Sequence, residues 1–248
     1  MQVKSGATHT GLDLSGPDLS GGAFGDLDLT DAVFVDCQFE GVAFSETGFE
    51  GARFKGCRFD RCRFAHADLR GARFDDCVLT KNQTGCEFAF SRLYEAQFTR
   101  CDLSFVRIER SSLHGVELDT CNLRGAVFTK VDFSRALGKT IVRTFARFTR
   151  CNFELADLAE LRAPGLDFSG SNFREADLRA ADLEGCDLRN TDLFQAATFG
   201  ARLARADLRG AQLSGLNLGD LETLADLKIA ADQQFDLLTA MGIDVHQT

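Results

Sequence analysis

The amino-acid sequence predicts a solenoid in which the chain turns a corner every five residues and completes a four-sided coil every 20. Large apolar residues recur with a period of five from Leu14 to Leu79 and, in a shifted frame, from Phe88 to Leu218. A small apolar residue usually stands two positions before each of them. A helix would spread this pattern around its axis, and one straight strand would alternate it between two faces. A chain that turns repeatedly buries both positions, here called the central position and the small inward position.

The composition agrees with a repetitive chain. The 248 residues include 23 Phe but one Tyr and no Trp, whereas an ordinary core mixes its residue types. No apolar stretch is long enough to span a membrane, and the first residues lack the apolar segment of a secretory signal. We therefore expect a cytoplasmic protein with reduced thiols. The net charge of −9 divides into −8 for residues 1–50, +4 for the middle and −5 for residues 219–248.

The recurring motif A-[D/N]-L-x-x, as in ADLRG at 67–71 and ADLEG at 181–185, resembles the signature of the pentapeptide repeat family. The resemblance covers about residues 12–220. It implies an all-β fold, a right-handed quadrilateral parallel β-helix of about ten coils. An N-terminal arm would occupy residues 1–11, and a helical cap or dimerisation tail would occupy residues 221–248.

The segment Cys57–Cys77 raises the question of a metal site, because it holds three cysteines and His66. The alternatives are a zinc site, a disulfide framework or buried reduced thiols. The C-x4-C spacing is not usual for zinc, and His66 falls in an outward position. Parallel side chains on stacked coils suit disulfide geometry poorly. Since all nine cysteines occupy the small inward position, we favour buried thiols and expect no metal or cofactor.

Cysteine spacing also locates an interruption of the repeat. Cys37, Cys57 and Cys77 are 20 residues apart, whereas the next members, Cys101 and Cys121, are displaced by four. An insertion of four residues within a loop near 80–85 would place all five in one structural ladder; deletion of one residue would instead put Cys101 on another side. The inserted residues are candidate partner contacts: Lys81, Asn82, Gln83 and Thr84.

Two further irregularities follow. Within residues 134–147, Gly138 and Arg143 fall in central positions, and because an unpaired buried Arg is costly we expect a loop there. Lys139 and Arg143 are its candidate partner contacts. Within residues 159–165, Ala163 stands in a central position beside Pro164, which predicts a bulge or a thin coil.

The period changes after Leu218, and the apolar spacing from Leu224 onward fits one or two amphipathic helices that cap the open end. The ending QQFDLLTAMGIDV resembles that of the Qnr-like branch of the family, which protects against quinolones. That resemblance implies a two-fold dimer through the tail and binding to DNA gyrase or topoisomerase IV by imitation of duplex DNA. The candidate dimer residues are Phe235, Leu238, Met241 and Ile243.

Catalysis is disfavoured, because the four histidines form no evident constellation with a nucleophile or a carboxylate. The alternative to a topoisomerase-binding protein is a rigid scaffold for other proteins. Three aromatic residues in outward positions, Phe90, Tyr94 and Phe105, would supply it with an exposed patch. Direct nucleic-acid binding is disfavoured by the negative net charge.

Overall fold

The chain winds into a four-sided parallel β-helix in this computed structural model, which describes residues 13–16, 18–137, 141–240 and 243, with the backbone alone for Leu137, Ile141, Asp236 and Ala240. We number the four faces by their first central residues, Leu14, Leu19, Phe24 and Leu29. Ten successive parallel pairings run along face 1, from residue 13 to residue 228. The predicted parallel solenoid is therefore confirmed.

Extended strands lie mainly on faces 1 and 3 of the N-terminal two thirds. Face 1 carries Asp13–Ser15, Val33–Val35, Arg53–Lys55, Arg73–Asp75, Gln97–Thr99, Glu117–Asp119 and Arg147–Thr149. Face 3 carries Arg63–Ala65, Glu87–Ala89, Arg107–Glu109 and Val127–Thr129, and face 2 carries Gln38–Glu40 and Arg58–Asp60. The remaining units pair through single residues and turn at once.

Stacked side chains from the central positions fill the interior. Phe34, Phe54, Phe74 and Phe98 stack on face 1, with successive ring centroids 4.6–4.9 Å apart. This spacing equals the distance between neighbouring strands, so each ring lies on the ring of the previous coil. The residue two places after the central one has a left-handed backbone in nearly every unit, as at Asp36 and His66. Each corner is made there.

The first interruption is a short antiparallel hairpin formed by Thr80–Lys81 and Thr84–Gly85. Asn82 and Gln83 make its turn with φ values of 51° and 62°, as a two-residue hairpin turn with two positive φ angles requires. Phe74 pairs with Phe98 in the next coil, 24 residues later. The insertion of four residues therefore keeps the faces in register, and the alternative of a one-residue deletion is wrong.

The second interruption is a longer hairpin formed by Ser134–Leu137 and Ile141–Thr144. Leu118 pairs with Phe148, 30 residues later, so ten residues are added to one coil. Arg143 is exposed on this hairpin rather than buried. The chain resumes the coil at Phe145, whose carbonyl accepts the amide of Gly115 at 2.7 Å.

Residues 159–165, where a bulge or a thin coil was expected, form no bulge toward the coil that follows them. Arg162 pairs with Asp182, and the amide of Ala163 donates to the Asp182 carbonyl at 2.9 Å, as in a regular unit. Leu161 and Ala163 are both buried, so the large and small side chains have simply exchanged positions. In other units an Asp or Asn at the position of Arg162 accepts the backbone amide two residues later. Arg162 has no side-chain oxygen, so the absent amide of Pro164 costs no hydrogen bond.

The β-helix also extends further than residue 220. A short 3-10 helix, Leu218–Asp220, adds one residue, after which Arg202 pairs with Thr223 and Asp207 with Lys228. Leu224 and Leu227, expected in a helix, therefore belong to the last coil and pack against the core. A second 3-10 turn, Ala231–Gln233, leads into the terminal helix Gln234–Ala240.

Gln233 closes the C-terminal end of the solenoid. Its amide nitrogen donates to the carbonyls of Leu208 and Ala211, each at 2.8 Å, and its side-chain oxygen accepts the amide of Ala230 at 2.7 Å. These two carbonyls lie in the last regular coil, and that of Leu208 also accepts the backbone amide of Ala211 at 2.9 Å. Leu237 of the terminal helix is buried beside this contact.

Candidate interaction surfaces

The Asp or Asn that precedes the central residue has a structural role in the repeat. Its side-chain oxygen accepts the amide two residues further on, which closes the turn of its own unit. This bond occurs at Asp18, Asp28, Asp68, Asp102, Asn122, Asp132, Asn152, Asp157, Asp167, Asn172, Asp177, Asp182, Asp187, Asp192, Asp207 and Asn217. The outward carboxylates therefore cannot all be assigned to partner recognition.

Arginine neutralises several of these carboxylates. In each Asp-Leu-Arg unit the guanidinium donates to the Asp two residues before it, as Arg179 does to Asp177 and Arg209 to Asp207. Hydrogen bonds from Arg209 lower the pKa of Asp207 to about 2. The C-terminal coils consequently present paired charges rather than a uniform negative surface.

The first two coils differ from the rest, because residues 13–52 contain nine carboxylates and no Lys or Arg. The next coil, residues 53–72, contains six basic residues and two acidic ones. Arg61 bonds Glu40, and Arg70 bonds Glu50 at 2.7 Å, so ion pairs join the acidic coils to the basic coil. Most of the nine carboxylates form no ion pair with any described residue.

The two hairpins project from different faces. Lys81 of the first hairpin is tied to Asp60 at 2.7 Å, whereas Asn82, Gln83 and Thr84 are exposed. On the second hairpin Arg143 and Val142 are exposed, and Lys139 lies outside the described residues. Phe145, at the base of that hairpin, packs against His114 and beneath the guanidinium of Arg147.

The predicted aromatic patch does not form. Phe90, Tyr94 and Phe105 follow central residues of faces 3, 4 and 2, so they project from three different faces or corners. Phe90 stacks on His66 at 5.1 Å and lies under Arg110 at 5.5 Å, and it is the only exposed member of the three. The expectation was wrong because outward positions five residues apart belong to different faces.

The cysteines line the interior as free, buried thiols. Cys37, Cys57, Cys77, Cys101 and Cys121 lie in one column, and Cys151 continues it beyond the second hairpin. Each sulfur donates to the carbonyl of the central residue one coil earlier, for example Cys101 to Phe74 at 3.2 Å and Cys121 to Phe98 at 3.3 Å. Burial raises the pKa of Cys37 and of Cys186 to about 12. Ser91 and Ser171 occupy the same position and make the same bond with an oxygen, a substitution that sequence reasoning missed.

The terminal segment leaves apolar side chains exposed. Phe235 is 51% exposed and Ile243 is 45% exposed, whereas Leu238 is half-buried. Met241 lies outside the described residues. Among the described residues, no group of His, Cys, Asp and Glu has the geometry of a metal site. In the same part of the chain, no helix has the length and hydropathy needed to cross a membrane.

Comparison with protein families gives two matches. The family model of the pentapeptide repeat region matches residues 14–84, and the family model of pentapeptide repeats in eight copies matches residues 107–137, 144–174, 151–190 and 171–197. The matches follow the central positions on both sides of the first hairpin.

Comparison with individual proteins adds three relatives. The quinolone resistance pentapeptide repeat protein QnrB96 of Scandinavium goeteborgense is 31% identical over 96 residues, which span 38% of this chain and 45% of that protein. A trypsin-treated form of QnrB1, described as a plasmid-mediated fluoroquinolone resistance protein, is 25% identical with a TM-score of 0.77, covering 85% of this chain and 99% of that one. Full-length QnrB1 is 23% identical with a TM-score of 0.73, covering 95% and 100% of the two chains.

Proposed function

Because this chain belongs to the pentapeptide repeat family, we propose that it acts by binding, as a Qnr-like protein that occupies a type II topoisomerase and protects it from quinolones or a natural toxin. The observation that carries the proposal is the likeness to QnrB1 along nearly the whole rod, at a TM-score of 0.77. The sequence match to QnrB96 over 96 residues supports the same branch. The enzyme bound would be DNA gyrase or topoisomerase IV.

The charge distribution supports a contact through the N-terminal coils. Duplex DNA carries one charge per about 1.7 Å, so about 10 Å of DNA holds about six charges. Two coils of the rod span about 10 Å at the spacing of paired strands, and residues 13–52 place nine carboxylates there. Because Arg61 and Arg70 pair with Glu40 and Glu50, seven carboxylates remain, and this end has about the charge density of DNA. The C-terminal coils, where several Asp residues are paired with Arg, contribute less.

The hairpins are the second part of the proposed contact. They are the places where the described chain leaves the surface of the rod, and each presents residues that make no structural bond to it. Asn82 and Gln83 are exposed at the tip of the first hairpin, and Val142 and Arg143 are exposed on the second. Both hairpins can be removed without disturbing the register, because four and ten residues respectively restore a regular coil.

The exposed end of the molecule supports a homodimer as the acting form. Phe235 and Ile243 form apolar surface beyond the last coil, and a second copy would cover the same surface by two-fold symmetry. The acidic coils would then lie at the two far ends of a doubled rod.

The test is DNA gyrase supercoiling with a quinolone present, titrated with this protein. We expect supercoiling to be restored, and fewer cleavage complexes to form, at low micromolar protein. Deletion of Arg135–Thr144 should abolish protection, whereas the deletion of Lys81–Thr84 tests the first hairpin separately. Circular dichroism and thermal unfolding confirm that each shortened rod is folded.

A lack of effect on both gyrase and topoisomerase IV, together with no binding in a pull-down, would reject the proposal in favour of a scaffold for other proteins. Protection that survives both deletions would reject the hairpins as contacts but leave the topoisomerase as partner. A charge variant, in which Asp26, Asp31, Asp36 and Glu46 are replaced by their amides, tests the acidic coils without altering their volume.

A further inference from the structure

The backbone ladder is interrupted on face 4, between the coil that ends at Phe133 and the coil that follows it. Elsewhere on this face the residue before the central position pairs with the next coil, as Ser112 does with Asp132 and Arg162 with Asp182. Asp132 and Arg162 are the next pair in this series, and no pairing joins them in the described residues. We call this interruption the seam.

Three amides at the seam lack the partner that equivalent amides have. One coil earlier, the amide of Arg110 donates to Thr129 at 2.9 Å and that of Leu113 to Asp132 at 2.7 Å. The equivalent amides of Lys130 and Phe133 have no acceptor among the described residues. The amide of Arg162 also has no acceptor among the described residues. The carbonyls of Val131, Ala159 and Arg162 accept no hydrogen bond there either. The seam therefore has donors and acceptors on both edges.

The second hairpin explains why the seam is open. The Phe133 carbonyl accepts the amide of Phe145 at 3.2 Å, where the hairpin returns to the coil, and His114 Nδ1 lies 3.0 Å from the same oxygen. These bonds hold the lower edge to the base of the hairpin instead of to the coil above. On the upper edge, Ala163 supplies only a small central side chain.

A cleft of about 610 Å³ occupies the seam. Val131 and Leu161 form part of its floor, and its edges carry Lys130 and Asp132 below and Glu160 and Arg162 above. Lys130 lies one coil before Glu160, and Asp132 lies one coil before Arg162. Neither pair has a nitrogen and a carboxylate oxygen within 4.0 Å in the described structure. All four charged side chains are exposed. The cleft thus has an apolar floor between two edges of mixed charge.

We propose that the seam is a docking site for an extended peptide segment of a partner protein, which adds a short strand between the two edges. The segment pairs its backbone with Lys130 and Phe133 on one edge and with Arg162 on the other, as in strand addition to an open sheet edge. Its apolar side chains cover Val131 and Leu161. Its acidic side chains face Lys130 and Arg162, and its basic side chains face Asp132 and Glu160. The seam lies beside the base of the second hairpin, but the docking of a peptide there does not require a topoisomerase as partner.

The first experiment measures amide hydrogen exchange of the full chain by NMR. We expect the amides of Lys130, Phe133 and Arg162 to exchange much faster than their matched controls one coil away. The controls, which occupy the same places in closed coils, are Arg110, Leu113 and Asp182. Equal protection of both sets would overturn the proposal, because the seam would then be closed in solution by its own Lys130–Glu160 and Asp132–Arg162 pairs.

The second experiment adds a blocked hexapeptide of alternating Glu, Val and Lys with free backbone amides. We expect exchange at the three seam amides to slow about tenfold when about nine-tenths of the protein is bound, with no change at the controls. A peptide of the same sequence with N-methylated backbone should not protect them. Equal protection by the two peptides, or protection by neither at millimolar concentration, would overturn strand addition. The double variant Lys130→Glu and Arg162→Glu should weaken binding of the first peptide while leaving the controls protected.

Discussion

Asp187 and Arg189 are bonded twice within one five-residue unit. The carboxylate of Asp187 accepts the backbone amide of Arg189 at 3.1 Å, and it also receives the guanidinium of Arg189 on both oxygens. The hydrogen bonds from Arg189 lower the pKa of the Asp187 carboxyl. The same arrangement recurs at Asp177 and Asp207. One acidic residue therefore closes its own turn, and its negative charge is paired with a neighbouring guanidinium.

The first prediction separates these two roles. Asp187→Ala should destabilise the protein by about 1 kcal/mol, because a hydrogen bond to a partly buried acceptor is lost. Asp187→Asn should cost less, since its side-chain oxygen still accepts the amide of residue 189. Arg189→Ala should cost least, because an exposed ion pair contributes about 0.2–1 kcal/mol. Urea unfolding measures all three variants, and an equal loss for Asn and Ala at position 187 would contradict the turn-closing role.

The second prediction concerns acid. Asp28, Asp177, Asp187 and Asp207 have pKa values below the usual 3.8 in the folded protein, because hydroxyl or guanidinium groups bond their charged forms. A lowered folded pKa adds stability above pH 3.8, which is lost as the pH falls toward about 2, the value for Asp207. We expect the urea midpoint to be nearly level from pH 7 to about 4.5 and to fall below about pH 4.

A double variant, Asp187→Asn with Asp207→Asn, is the matched control for this pH dependence. Because neither side chain titrates, its midpoint should fall less between pH 4 and pH 2 than that of the parent protein. An identical fall in the two proteins would assign the acid sensitivity to other carboxylates.

Sequence reasoning could locate the β-helix because every unit must bury two residues, and a period of five leaves few geometries that do so. The displacement from Cys77 to Cys101 even fixed the size of the first insertion. The assignment of Leu224 and Leu227 to a helix was wrong. A single added residue in the turn at Leu218–Asp220 shifts the period, and the shifted pattern also fits a helix.

The surfaces were harder to predict than the core. Outward residues are near in sequence but belong to different faces, as Phe90 and Tyr94 do. Net charge along the chain also does not show which carboxylates are paired, as Asp187 is with Arg189 within one unit. The recurring order Asp-Leu-Arg was the signal available in the sequence for that pairing. The seam had no such signal, because it depends on how the hairpin bonds Phe133.

The third prediction concerns the cysteine column. Cys57→Ser should be tolerated within about 1 kcal/mol, because Ser91 and Ser171 already donate to a carbonyl from this position. Cys57→Leu should destabilise the protein by about 1–3 kcal/mol, since the larger side chain meets the Phe stack. Urea unfolding measures both changes.

Thiol titration is the companion measurement. All nine cysteines should be unreactive toward a disulfide reagent in the native protein and should all react after denaturation. Fewer than nine reactive thiols after denaturation without reductant would contradict the free-thiol assignment. If Cys57→Ser lost as much stability as Cys57→Leu, a Ser hydroxyl could not replace the Cys thiol as hydrogen-bond donor at this position.

The fourth prediction tests the dimer through the exposed terminal residues. Phe235→Asp with Ile243→Asp should convert a dimer to a monomer in sedimentation equilibrium, because charge replaces apolar surface at the proposed contact. Phe199→Asp is the matched control, since Phe199 is 69% exposed on face 3 and is not part of the terminal helix. A parent protein that is already monomeric at micromolar concentration, or a control that dissociates equally, would reject the terminal contact.

The fifth prediction concerns a coil whose four central residues are all aliphatic and which lies between coils that contain Phe. Leu103, Ile108, Leu113 and Leu118 occupy it, and a small apolar void lies beside them. On face 3, Ile108 lies between Phe88 and Phe128, where the ring stack is interrupted. Ile108→Phe should fill the void and stabilise the protein by about 1 kcal/mol, within the range for a stacked aromatic pair.

Ile108→Ala is the control for this change and should cost about 2–5 kcal/mol, because it enlarges the void. Urea and thermal unfolding measure both variants. A destabilised Ile108→Phe protein with an unchanged fold would mean that the coil is already filled to its natural density, since added volume in a closed core introduces strain. A stabilised Ile108→Phe protein would show that the void beside Ile108 was underfilled.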